Sequence, residues 1–322
     1  MNHLLPLPPA TPPPAAGRSS RREFLHRTGA AAALGAATAL LPRSLLAATT
    51  PPAPPPSLVG SNVVAWMHYA EREKRTLDLA EVMTALRDCG YDYLEGRMNV
   101  EQPEENARFA GRMHAHGLRP FSIYAGAVLH ETTVAGPTVD GLLAAARVCA
   151  REGFRVLVCN AKPIPREKTD QELATQAAAF TRLGTGLNEL GMRLAVHDHL
   201  PGLASGAREL RHNFQHTAPD AVGFCYDVAW LSRGGLPPQE ALPAYGSRLV
   251  TWHLRQIRNG VWREDLDEGD IDYGWIAGYV ARQGLPRHFE VELALEPGTV
   301  VTRGVVENHR RSREFVRRIF GV

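Results

Sequence analysis

Cysteine is scarce in this 322-residue sequence, and the four present, Cys89, Cys149, Cys159 and Cys225, show no C-x-x-C spacing. A chain of this length buries enough apolar surface to stand without cross-links, so these read as buried free thiols, although a disulfide stays open outside the cytoplasm. Long hydrophobic runs are missing too: the apolar run Gly29 to Leu41 has thirteen residues, mostly Ala and Gly. Roughly 20 are needed to cross a bilayer core, so no stable membrane insertion is expected. No glycine-rich fingerprint follows the first predicted strand, which argues against a dinucleotide site and a doubly wound sheet. Excess charge is absent as well. Of 36 basic and 34 acidic residues the first fifty hold five Arg and one Glu, which leaves 31 against 33. No basic field remains to recruit nucleic acid or anionic lipid.

What is present begins with a targeting pattern. Ser20-Arg21-Arg22-Glu23-Phe24-Leu25 is a twin-arginine signature, followed by the weak apolar run, Pro42, Arg43 and the small residues Ala47 and Ala48. That order predicts a signal segment over residues 1–48, a partner in the twin-arginine export machinery, and a periplasmic or otherwise exported protein. No cysteine lies at the cleavage region, which disfavours a lipoprotein anchor. Residues 49–58, with the prolines from Pro51 to Pro56, form a semi-rigid linker, and the domain proper spans 59–322.

In that domain one pattern, a short β-rich run and then a helical stretch, repeats eight times. The predicted strands are Asn62–Met67, Tyr91–Gly96, Pro120–Tyr124, Arg155–Asn160, Arg193–His197, Val222–Asp227, Leu249–Leu254 and His288–Leu293. Helices are expected between them, among them Val139–Glu152 and Ala204–His216, and Gly90, Gly117, Gly153, Gly191 and Gly284 stand where a left-handed residue stops a helix. Eight βα units in about 265 residues is the size of an α/β (β/α)8 TIM barrel, here a single domain.

Residues two apart on a strand share a face, and in a barrel one face points into the lumen. On the seventh strand Val250, Trp252 and Leu254 are assigned outward and Thr251, His253 and Arg255 inward. On the sixth, Phe224 and Tyr226 go outward, Cys225 and Asp227 inward. The same alternation sends His197 and His199, Glu290 and Glu292, Tyr93 and Glu95, and Val158 and Asn160 inward. Polar residues thus gather late in the strands, at the end where this fold builds active sites. Glu, Asp and His together suit one divalent ion, Mn, Mg, Co or Zn. Imidazole titrates near neutrality, so His197 reads equally as a ligand and as a proton-transfer group.

In order, Val196-His197-Asp198-His199, Gly223-Phe224-Cys225-Tyr226-Asp227, Tyr245-Gly246-Ser247-Arg248-Leu249, Trp252-His253-Leu254, Glu268-Gly269-Asp270-Ile271-Asp272-Tyr273 and Val291-Glu292 resemble the xylose isomerase-like TIM barrels, the sugar phosphate isomerase/epimerase superfamily. The resemblance covers roughly residues 60 to 300. It implies metal ligands at Asp227, His253 and Glu292, with Glu292 also acting as a base that removes a proton beside a sugar carbonyl to give a metal-stabilised enediolate. It also exposes departures. His197 stands where the epimerases carry a strand-five Glu, Asn160 where dehydratase-like members carry an acid, Trp230 in place of a His, and Arg255-Gln256 in place of Lys-Asp.

Each candidate has a plainer reading. Asp227 could only cap the next segment, Glu95 could only pair with Arg97, and of Glu290 and Glu292 one could be a ligand and the other a salt-bridge partner of Arg255; the family spacing selects Glu292 as ligand. Substrate contacts are assigned to Glu95, His199, Arg255, Asn160 and Trp230, and Trp66, His68, Trp230 and Trp262 are candidates to wall a sugar pocket. His212 and His216, four apart, read as a solvated helix face. The function expected is a metal-dependent sugar isomerase or epimerase, with a lyase on keto-sugars or oxidised glycosides, and a non-catalytic sugar-binding barrel, as alternatives. A DNA-repair nuclease is disfavoured by the neutral charge balance.

Overall fold

The computed structural model describes residues 57–322; the predicted signal segment and all but the end of the linker lie outside the described residues. Eight parallel strands close into a barrel: β1 (Leu58–Asn62), β2 (Tyr93–Arg97), β3 (Ser122–Ala127), β4 (Val156–Ala161), β5 (Arg193–His197), β6 (Val222–Asp227), β7 (Leu249–Leu254) and β8 (His288–Val291). Each pairs with the next, and β1 closes the ring on β8 through the register Leu58↔His288 to Ser61↔Val291. The intervening helices are α1 (Val63–Arg72) and α2 (Leu79–Asp88) after β1, then α3 (Glu104–Ala115), α4 (Thr132–Arg151), α5 (Asp170–Glu189) and α6 (Leu200–Gln215). After β6 come α7 (Val228–Arg233) and α8 (Pro238–Tyr245), and α9 (Tyr273–Gln283) and α10 (Val305–Phe320) complete the set. A small antiparallel ribbon, Ile257–Arg258 with Val261–Trp262, follows β7. The TIM barrel is therefore as expected, and no helix among the described residues is long and apolar enough to cross a membrane.

Local signals account for most boundaries. Thr169 and Glu172 form a reciprocal capping box at the start of α5, and Asp78 caps α2 by accepting from the Ala80 N–H at 2.8 Å. All five helix-stopping glycines have positive φ, from 62° at Gly284 to 104° at Gly153. The four cysteines are free; Cys149, Cys159 and Cys225 are buried, whereas Cys89, at the end of α2, is only half-buried.

The first strand departs from its prediction. Asn62–Met67 is not a strand: β1 ends at Asn62, whose side chain accepts from the Val64 N–H at 2.8 Å and starts α1. The buried residues of α1, Val63, Ala65, Trp66, Tyr69 and Ala70, follow helical spacing, which prevails over the β-branched Val63-Val64 pair. Two helices start earlier than expected. α4 runs through Pro137, and α6 begins at Leu200 but contains a left-handed turn at Ser205, Gly206 and Ala207, with φ of 51°, 69° and 61°.

Outward strand residues such as Phe224, Trp252 and Phe289 join the main core under the helices, while Leu58, Tyr93, Phe121, Val156, Val158, Ala195, Cys225 and Val250 make a separate apolar plug in the lumen. Val250 corrects the assigned face. The β6–β7 register runs Phe224↔Leu249 and then Cys225↔Thr251, so Val250 is an extra residue and turns into the plug. Gly223 makes room for it: a Cβ there would lie 2.3 Å from Val250 Cγ2 and 2.8 Å from the Leu194 carbonyl oxygen. The plug closes one end of the lumen, and polar side chains fill the other.

Candidate metal centre

Two layers of polar side chains stand beyond the plug. In the upper one, His197 at the end of β5, Asp227 at the end of β6, His253 on β7 and Glu292 just past β8 bring one ligand atom each within 4.8 Å of one another. None of the four is more than 7 % exposed. His197 Nε2 lies 3.3 Å from Asp227 Oδ2, and His253 Nδ1 lies 2.8 Å from Glu292 Oε2. The lower layer holds Glu95 and Glu290, whose Oε1 atoms are 3.4 Å and 3.3 Å from His253 Nε2. Asn62 ties them together, donating from Nδ2 to both at 3.1 Å, and Ser122 donates to Glu95.

Each upper carboxylate divides its oxygens between protein and cluster. Asp227 accepts from the Trp230 N–H at 2.8 Å through Oδ1, which caps α7, and turns Oδ2 to His197. Glu292 meets the Arg255 guanidinium through Oε1 and turns Oε2 to His253. Burial opposes ionisation of both, but Arg255, with His197 beside Asp227 and His253 beside Glu292, outweighs it, so both carboxyls are held below their ordinary values. In the lower layer burial again opposes charge. Glu95 is nonetheless lowered by His253, whereas burial and the Glu95 charge push Glu290 well up. Burial pushes His253 down, but Cys225, Glu290 and Glu95 together hold it well above its ordinary value.

The donor set fits a divalent cation. Ligand atoms bound at ~2.1 Å to one ion lie about 3–4 Å from each other, close to the spread seen here. Buried polar atoms are normally hydrogen-bonded. Here both nitrogens of His253 make no hydrogen bond, although Nδ1 is 2.8 Å from a carboxylate oxygen. Close approach without donor–acceptor alignment is the arrangement of groups aimed at a common third atom. Below, carboxylates facing His253 Nε2 fix the ring, as the outer partners of a metal-bound imidazole do.

A cavity of about 230 Å³ opens over the cluster. Among the residues assigned to substrate, His199, Arg255, Trp230 and Glu95 reach its wall, Glu95 at the floor and with no tie to Arg97. Asn160 does not line it: its amide donates to the His197 carbonyl oxygen at 2.9 Å, which uses the side chain to fix the end of β5. Trp66 also leaves the wall, because α1 turns it into the core, where it stacks on His309 at 4.5 Å. His68, Trp230 and Trp262 remain there. The salt bridge of Arg255 goes to Glu292 and not to Glu290, since Glu290 pairs in register with His253, one layer lower. Asn62 and Tyr124 were not singled out by sequence; an Asn ending a strand directly before a helical run was the available signal for the first. The rings of His212, on α6, and His216, just past its end, lie 4.1 Å apart, tilted by 41°, and belong to no ligand cluster among the described residues.

Comparison with known proteins agrees with this architecture. A curated inosose dehydratase of Geobacillus kaustophilus (strain HTA426) is 25% identical over 208 residues, 58% of this chain and 66% of that protein, just under two thirds of its length. The solved structure of an L-ribulose 3-epimerase superposes with a TM-score of 0.65 at 16% identity, covering 83% of this chain and 95% of the other. That of the IOLI protein with a bound zinc atom gives 0.62 at 14% identity, covering 82% and 98%. At such identities the two structures speak for the fold alone. The model of the xylose isomerase-like TIM barrel matches residues 83–319, most of the described domain, and the chain belongs to that family.

Proposed function

We propose that the protein is a metal-dependent sugar isomerase or epimerase that removes a proton from the carbon beside a carbonyl. The observation that carries this is the convergence of His197, Asp227, His253 and Glu292 at the open end of the barrel, beneath a cavity walled by Trp230 and Trp262. These four would hold the ion. When bound, it supplies a Lewis acid to a sugar carbonyl and its neighbouring hydroxyl, which makes the adjacent C–H more acidic. Arg255 and His253 keep Glu292 ionised and ready to accept that proton. His199, which burial and the neighbouring His197 push down to about 4, is neutral at pH 7, lines the same cavity and stands outside the ligand group, so it is the second group able to pass a proton. His68 accepts from the Leu295 N–H at Nδ1, 3.0 Å away, which leaves its Nε2–H to donate to a sugar oxygen.

A lyase is the second reading, supported by the likeness to an inosose dehydratase and by His197 standing where epimerases of the family carry Glu. Elimination needs one base and one acid, and Glu292 with His199 or His68 would serve. The N-terminal Arg21-Arg22 signature supports an exported enzyme; cell fractionation with and without Arg21→Lys/Arg22→Lys tests that part.

The deciding experiment combines Mn²⁺ titration of the purified protein with incubation of ketoses and keto-sugar acids in deuterated water. One ion per chain, with deuterium entering beside the carbonyl and lost in Glu292→Gln by about 10²–10⁴-fold, is the expected result. Loss of water in the product would select the lyase. Exchange that is equal in wild type and Glu292→Gln would refute the base assignment, and absence of metal uptake would refute the centre.

A further inference from the structure

Two oxygens and two nitrogens face one another in the upper layer, and the surrounding contacts fix that count. Asp227 Oδ1 accepts from the Trp230 N–H at 2.8 Å and Glu292 Oε1 is held by the Arg255 guanidinium, so each carboxylate has one oxygen left for the cluster. Glu95 and Glu290 add none, because they group with His253 on its Nε2 side and not with the other three. The nitrogens are His253 Nδ1, 2.8 Å from Glu292 Oε2, and His197 Nε2, 3.3 Å from Asp227 Oδ2. His197 is held at both ends: the Asn160 amide donates to its carbonyl oxygen at 2.9 Å, and the rings of Tyr124 and His199 pack edge-on against its imidazole.

Donor type, more than charge, separates one divalent ion from another. Asp227, Glu292 and, one layer lower, Glu95 set three negative charges against the one positive charge of Arg255, which attracts every divalent cation alike. Oxygen donors suit Mg²⁺ and Mn²⁺, whereas imidazole suits the later ions of the first transition row. Both ligand oxygens are weakened here, since Asp227 shares its charge with a backbone N–H and Glu292 with a guanidinium. The His253 nitrogen is strengthened, since Glu290 Oε1 at 3.3 Å and Glu95 Oε1 at 3.4 Å face the far side of its ring. The balance therefore turns on the second imidazole, His197.

We propose that His197 is the selectivity residue of this centre, a nitrogen ligand that gives it a preference for Zn²⁺ or Co²⁺ over Mn²⁺ greater than a carboxylate in the same place would allow. This rests on the metal-dependent reading above and narrows it: Mn²⁺ binds the same four groups, less tightly. Zn²⁺ exceeds Mn²⁺ at most sites of these donor types, so the dependence of the ratio on His197 is the property specific to this chain.

Competition of Zn²⁺, Co²⁺ and Mn²⁺ against a chelator of known affinity tests it, with the full chain as wild type, His197→Gln and His197→Glu, and with circular dichroism to show that each is folded. His197→Gln removes the nitrogen at constant charge and is expected to weaken Zn²⁺ and Co²⁺ at least about tenfold more than Mn²⁺. His197→Glu supplies an anionic oxygen instead, and is expected to strengthen Mn²⁺ and to lower the Zn²⁺/Mn²⁺ affinity ratio by at least about tenfold. Nitrogen NMR of the Zn²⁺-loaded wild type, labelled at histidine, needs no substitution: two histidines with a metal-bound ring nitrogen are expected, and one alone would overturn the assignment whether or not the variants fold. A Zn²⁺/Mn²⁺ ratio unchanged in both folded variants would also overturn it, while leaving the metal centre standing. Failure of all three ions to bind the wild type would remove the metal-dependent function and the selectivity with it.

Discussion

A carboxylate at the end of a strand can serve two purposes when its oxygens diverge, and Asp227 does so: one oxygen caps α7 and the other faces His197. The plain reading of this residue as a cap and the chemical one as a ligand are therefore compatible. Strand alternation alone was enough to send His197, Asp227, His253 and Glu292 to the same rim, because each lies at or next to the end of a regular strand. Alternation could not say which glutamate would meet Arg255, since Glu290 and Glu292 share a face; only their height in the barrel separates them. Nor could it find Asn62, whose value lies in reaching two carboxylates from strands on either side of its own. The lower layer yields a prediction. Glu95→Gln keeps the shape and the contact with Asn62 but removes the charge facing His253 Nε2, and is expected to weaken divalent-ion binding by roughly 10–100-fold while the fold persists. Calorimetric titration of the metal alongside circular dichroism checks this; unchanged affinity would mean that Glu95 does not orient the ring.

Elements show where local rules yield to contacts. The strand pattern was legible for β4 to β7 because those runs are apolar and bounded by glycine or turn residues, yet the extra residue Val250 was not, since its bulge depends on the empty space at Gly223 on the neighbouring strand. Likewise the left-handed turn at Ser205 to Ala207 runs against ordinary helix geometry, and no single-residue signal besides Gly206 announces it. The same conflict sets the sign of a substitution in α5. Gly184 lies inside the helix, where replacement by Ala normally gains about 1 kcal/mol. Here the new Cβ would sit 2.0 Å from the carbonyl oxygen of Ala221, a backbone atom leading into β6 that cannot turn aside. Overpacking of that kind costs roughly 1–3 kcal/mol, so Gly184→Ala is expected to lower stability despite its better propensity. Urea unfolding of the two proteins decides it, and a higher midpoint for the variant would show that α5 can slide away from β6.

At the scale of the molecule, the eightfold repeat announced the barrel, but closure depends on contacts between the first and last units that no periodicity specifies. One of these is a buried chain of polar groups linking α10 to β1. His309 Nδ1 faces the Val305 carbonyl oxygen at 2.8 Å, so it carries the proton, and Nε2 accepts from the Ser61 hydroxyl at 2.9 Å. Ser61 in turn accepts from the Trp66 indole at 3.3 Å, and Trp66 stacks on the His309 ring. Burial pushes His309 down to about 4, with only partial relief from its bond to Val305. In the unfolded chain the same imidazole titrates near 6.5, so the unfolded state binds the extra proton first as pH falls. The contribution of His309 to stability is then fully present above about pH 6.5 and is lost as pH drops toward 4, on the order of 3 kcal/mol in all. His309→Gln has no such titration, and its stability is expected to fall less steeply over that window even if it starts lower at pH 7.5. Urea unfolding across the range, with chelator present so that proton competition at the metal ligands does not contribute, separates this slope from the cost of the substitution itself. Parallel pH profiles for the two proteins would place the acid sensitivity of the barrel elsewhere than at the α10–β1 closure.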